Sequence, residues 1–229
     1  MGLRALLGLE DAGGKYLARS VQLDGCPTVI VPVLTNLIHS RYDHDASAAM
    51  AQLMHGDWWR LHVQPATSGH QPQIVAQPSD HHSDPCSGTI GVDGAGDRQW
   101  AYLLGGRLRL HVYLGVRRLT GETRWEPWAC WSLHDLPALP YQELLDVQRS
   151  GYSRQWAANS EATYVEAVAE RFALPRSRVA RDFDDLSPDE CRALGLDRTL
   201  HNGGEPYRRT ELTAAHRRSL DALRRGAKP

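Results

Sequence analysis

The sequence predicts an α+β fold: a mainly antiparallel sheet packed by helices, followed by a helical C-terminal region. Three observations carry that reading. Leu108, Leu110, Val112 and Leu114 alternate with Arg107, Arg109, His111 and Tyr113, the two-residue period of a strand with one buried face. Two short apolar runs near the N-terminus flank Asp11-Ala12-Gly13-Gly14, as a hairpin requires. Beyond Pro137 and Pro140 the chain reads as helix through most of what remains.

Taken in order, residues 3–10 and 15–23 form the hairpin arms, with Leu17, Val21 and Leu23 on one face of the second arm. Asp24-Gly25-Cys26-Pro27 then turns the chain. Thr28 is placed to cap a helix running to about Arg41, with Pro32 near its first turn, where a missing N–H costs little. A second helix follows from Asp45 as cap through Met54, ended by Gly56. Residues 61–63 are a short apolar segment. From about 64 to 98 Pro, Gly, Ser, Asp and His dominate, and that composition predicts a long polar loop without regular structure. Order returns with WAYLL from Trp100, a two-residue turn at Gly105-Gly106, the alternating strand, and a third strand around Trp125–Trp131. Pro127 marks that last strand as an edge or a bulge. The predicted organisation is an α+β domain over 1–150 and a helical region over 151–229.

Composition is that of an ordinary globular chain: 229 residues, 41% hydrophobic, 23% charged, net charge -1. Such a balance supplies no overall field that would draw the protein to nucleic acid or an anionic membrane. Residues 152–229 carry net +2 and residues 1–151 net -3, so any recognition of charge is local. No window approaches the roughly 18 apolar residues of a membrane span, and the N-terminal apolar run is too short for a secretory signal. The expectation is a cytoplasmic protein, with no membrane partner, and with a homo-oligomer as one assembly it could form. The four cysteines lack any C-x-x-C pair and read as reduced thiols.

The hairpin, the DGCPT corner at Asp24–Thr28, the apolar helix and the later strand WAYLL resemble a set of bacterial proteins of unknown function. The resemblance spans about residues 3–145 and implies a fold without implying an activity. Residues 165–186, VEAVAERFALPRSRVARDFDDL, resemble the helix-turn-helix of DeoR-class repressors. That likeness implies Val168 and Ala169 inside a first helix, Phe172 at its end, and Val179 and Phe183 on the buried face of a second helix. Arg176, Ser177, Arg178 and Arg181 would then face DNA.

Chemistry can be sought in three places. Asp24, His39 and His44 are candidate catalytic groups, an imidazole serving as base and Asp24 as its orienter. His81, His82 and Cys86 are candidate ligands for zinc, although no paired spacing completes a four-ligand set and no cofactor is otherwise predicted. Phosphate-binding and nucleophile-elbow motifs are absent. Two function classes therefore stand. One is a binding or regulatory module whose residues 161–225 contact DNA or a protein partner. The other is a small-molecule enzyme with a His/Asp site within residues 24–57.

Overall fold

The computed structural model describes residues 3–64, 73–80 and 84–185. Twelve principal elements run in the order β1 (Ala5–Glu10), β2 (Lys15–Leu23), α1 (Pro27–Thr35), α2 (Ala46–Leu53), β3 (Trp58–Gln64), β4 (Gln73–Pro78), β5 (Cys86–Thr89), β6 (Trp100–Gly105), β7 (Arg109–Arg117), β8 (Thr123–Ser132), α3 (Tyr141–Phe172) and α4 (Arg176–Asp184). A π-helix at Asn36–Arg41 continues α1, and a 3-10 helix at Leu133–Ala138 precedes α3. The eight strands form one mixed sheet in the order β4-β3-β2-β1-β6-β7-β8, with β5 paired to β2 beside that path. The fold class is α+β, with a sheet that is mostly antiparallel.

Among the described residues two pairings are parallel. β2 meets β3 at Val21 and Leu23, because the α1–α2 crossover returns the chain to the same end of the sheet, and β1 meets β6 from Ala5 to Leu9. Alternation gives the sheet two faces. Leu7, Val21, Trp100, Tyr102, Val112 and Leu114 lie on one, all essentially inaccessible. The other carries a separate cluster of Leu6, Tyr16, Ala18, Ala101, Leu103, Tyr113 and Trp125.

Several expectations meet corrections. The segment read as a long polar loop over 64–98 contains β4 and β5. β4 pairs antiparallel with β3, from Gln64 opposite Gln73 to Trp58 opposite Pro78, and β5 with β2. Both strands are exposed or only half-buried, and neither QIVAQP nor CSGT shows the two-residue alternation by which a strand is usually recognised. The β6–β7 turn is not Gly105-Gly106: Gly105 pairs with Arg109, and the positive φ angles fall on Arg107 (59°) and Leu108 (52°). Register decides this. The observed pairing sets Trp100 against Leu114, Tyr102 against Val112 and Leu104 against Leu110. A turn at the two glycines would instead bring Arg109 opposite Tyr102.

The first helix also differs. It starts at Pro27 with Cys26 as N-cap, so Pro32 lies in its interior. Thr28 is no cap; its hydroxyl donates to Gln148 Oε1 at 2.6 Å, and that same oxygen accepts from the Thr28 amide at 3.3 Å. A side chain from α3 thus satisfies a backbone donor that a cap residue would have taken. Asp45 does cap α2, accepting from the Ala48 amide at 3.0 Å.

The described residues fall into two units, one comprising residues up to Val116 with Thr123–Tyr152, the other Arg117–Glu122 with the residues from Ser153 onward. In the second, Val165, Val168, Ala169, Val179, Ala180 and Phe183 form a small core, with Leu119, Tyr164, Phe172 and Leu174 packed on it. Ala173, at φ 52°, turns α3 into α4. No helix among the described residues is long and apolar enough to cross a membrane.

Candidate acid–base site

A polar group enclosed by its partners lies at the end of β1. Glu10 belongs to the Leu6 face of the sheet, and its side chain is only 7% exposed. Along β7, Arg109, His111 and Tyr113 share a face by alternation. Tyr113 donates to both oxygens of Glu10 at 2.8 Å, and His111 Nδ1 lies 2.9 Å from Oε2. Tyr113 and His111 are also mutual neighbours at 3.5 Å, their rings edge-on. Gly105 makes room for the imidazole, since a Cβ there would lie 3.0 Å from His111 Cε1.

A carboxylate has only acceptors, so His111 Nδ1 carries the hydrogen it shares with Glu10, and in the neutral ring the lone pair then sits on Nε2. His111 is 31% exposed, so the group stays within reach of a small molecule. Burial, followed by the bond to Glu10 and then the charges of Glu10 and Cys130, pushes the Tyr113 phenol well above its ordinary range. Tyr113 therefore remains a donor to the Glu10 carboxylate.

The residues singled out by sequence are placed as follows. His39, in the π-helix, and His44 meet directly, Nδ1 to Nδ1 at 2.8 Å, with ring centroids 4.6 Å apart. His39 Nε2 lies 2.8 Å from the Leu133 carbonyl, so it donates there and its Nδ1 accepts from His44. Asp43 and His44, at φ 45° and 68°, hold a turn that costs backbone strain. The Asp24 carboxylate meets Arg60 Nε at 2.7 Å, with both side chains more than 40% exposed. Cys86 Sγ lies 3.3 Å from Arg98 Nη2, and His81 and His82 fall outside the described residues. Among the described residues no group of three or more His, Cys, Asp or Glu side chains is placed to hold a metal ion.

Of the four residues proposed to face DNA, Arg176 is committed within its own unit. Its guanidinium donates to the Leu119 carbonyl at 2.8 Å, to Glu166 at 3.1 Å and to the Ala162 carbonyl at 3.2 Å. Ser177 and Arg181 are exposed, Arg181 lying 4.0 Å from Asp182, and Arg178 is half-buried. Residues 186–225 of the proposed contact region fall outside the described residues.

Glu10, His111 and Tyr113 were not reached from sequence as a site. The alternation of β7 was legible, but Glu10 lies 101 residues from His111, and only the β1–β6–β7 pairing brings them together. Comparison of the chain with protein-family models, with curated proteins and with solved structures finds no match in any of the three.

Proposed function

We propose that the chain is an enzyme acting on a small-molecule substrate by acid–base chemistry, with His111 as the base and Glu10 as the group that orients it. The observation that supports this reading is the buried Glu10 carboxylate holding His111 Nδ1 at 2.9 Å, which directs the Nε2 lone pair away from the carboxylate. A carboxylate behind an imidazole fixes its tautomer and stabilises the imidazolium that forms when it takes a proton. The His39–His44 pair offers a weaker version of the same chemistry. Its orienting group is a neutral backbone carbonyl, and His44 stands on an exposed turn.

A contact with DNA through α4 draws less support, because Arg176 is spent on internal partners and the acidic side chains of Asp182 and Asp184 lie on the same short helix.

The test is a panel of small esters, thioesters and amides incubated with the wild-type chain and with H111Q and E10Q. One class of panel member is expected to be turned over, with loss of roughly 10²–10⁴-fold in H111Q and a smaller loss in E10Q. No turnover of any member by the wild type, or an H111Q chain as active as wild type, contradicts the proposal.

A further inference from the structure

His39 and His44 are turned onto each other, and two imidazoles so placed are also a ligand pair. His39 lies in the π-helix at Asn36–Arg41, a widened turn of the kind that recurs at functional sites. Its Nε2 donates to the Leu133 carbonyl at 2.8 Å, which leaves the lone pair of the neutral ring on Nδ1. Imidazoles that bind metal ions are oriented in this way, by a carbonyl or carboxylate behind the ring. His44 brings its own Nδ1 to 2.8 Å from that of His39, the two rings edge-on at 85°. To do so, Asp43 and His44 hold φ angles of 45° and 68°, a backbone cost that one solvent-exposed hydrogen bond offsets only in small part. Over residues 36–46, Asp43 and Asp45 outnumber Arg41, a net charge of -1 that favours a cation.

The spacing of the two nitrogens selects the class of ion. Nitrogens about 2.0 Å from one ion and at right angles to each other, as in adjacent positions of tetragonal Cu(II) or Ni(II), lie roughly 2.8 Å apart; tetrahedral zinc would set them roughly 3.3 Å apart. The observed 2.8 Å matches the first. We infer that His39 and His44 chelate a divalent transition-metal ion of the nickel or copper class through their two Nδ1 atoms. The hydrogen that His44 shares with His39 moves to His44 Nε2, and the ion takes its place between the rings. A turn of the exposed His44 ring aims both lone pairs at that ion. Because no third His, Cys, Asp or Glu among the described residues completes the set, water fills the remaining positions and the ion is an exchangeable one. The site is separate from Glu10 and His111 and does not rest on the reading of His111 as base.

The experiment uses the full chain, free of any affinity tag, and nickel chloride as the probe in isothermal titration calorimetry. Wild type is expected to bind one equivalent. H39Q and H44A are each expected to weaken that binding by roughly 10-fold or more, since even the loss of an outer partner of a ligand has an effect of that size. H111Q is expected to bind as wild type does. With Cu(II) as a second probe, electron paramagnetic resonance should show two imidazole nitrogens on the ion in wild type and one fewer in H44A. Circular dichroism verifies that the variants fold; H44A, altered on an exposed turn, decides the matter if H39Q does not. No one-equivalent binding by wild type, H44A binding as tightly as wild type, or loss of the binding in H111Q would each overturn the inference. None of these results depends on turnover, so the site and the base reading stand or fall separately.

Discussion

Two tyrosines report on the interior most directly. Tyr102, fully inaccessible, donates to the Gly25 carbonyl at 3.0 Å, and burial pushes its phenol well above its ordinary range. Tyr113 is raised in the same direction, by burial and then by Glu10. The sign follows from which state holds the proton. The unfolded chain releases these protons near pH 10, whereas the folded chain keeps them, so the stability they give is fully present below that pH and is lost as pH rises above it. Each tyrosine adds a slope of about 1.4 kcal/mol per pH unit in that window. Urea unfolding compared at about pH 9 and about pH 11 should show a steeper loss for wild type than for Y113F, which has no phenol to ionise. Equal losses in the two chains would contradict the burial argument. The need for such a buried donor was not readable from sequence, because Tyr113 occupies the polar half of an alternating strand. It is Glu10, from a distant strand, that turns this position inward.

At the scale of elements, local chemistry was legible where it is local and failed where a partner decides. The first hairpin stands as read, with Ala5 opposite Val21 and Glu10 opposite Tyr16, because Asp11 and the two glycines that follow specify their own turn. The Asp45 cap was readable for the same reason. By contrast, the β6–β7 turn obeys the packing of apolar residues against the sheet, which overrides the glycine signal. Arg176 gives the clearest test of an element held by a partner. It bonds the 117–122 turn and α3 from the start of α4, and Gly121, at φ +103°, lies so close that a Cβ would sit 2.8 Å from its Nη1. R176K keeps the charge but loses the fork, and should lower unfolding stability by about 2 kcal/mol. G121A should do so too, through strain and by displacing the guanidinium. Far-ultraviolet circular dichroism in urea measures both. Unchanged midpoints would show that Arg176 does not fasten these elements.

For the whole molecule, the fold class followed from strand alternation and helical patterning, whereas the two parallel pairings did not. β1 and β6 meet with Ala5 beside Trp100, a separation along the chain that no local pattern encodes. The same long-range pairing assembles the Glu10–His111–Tyr113 group, which explains why the sequence directed attention to His39 and His44 instead: those two are neighbours in the chain as well as in space. The central claim is that His111 supplies a base, and an imidazole can be removed and returned. In H111A, the space vacated beside Gly105 is open to a free imidazole molecule. The account predicts that H111A loses turnover of the fastest panel substrate and that added imidazole restores it in a concentration-dependent, saturating way. An H111A chain that keeps the wild-type rate, or one that loses it and is not recovered by imidazole, would contradict the claim.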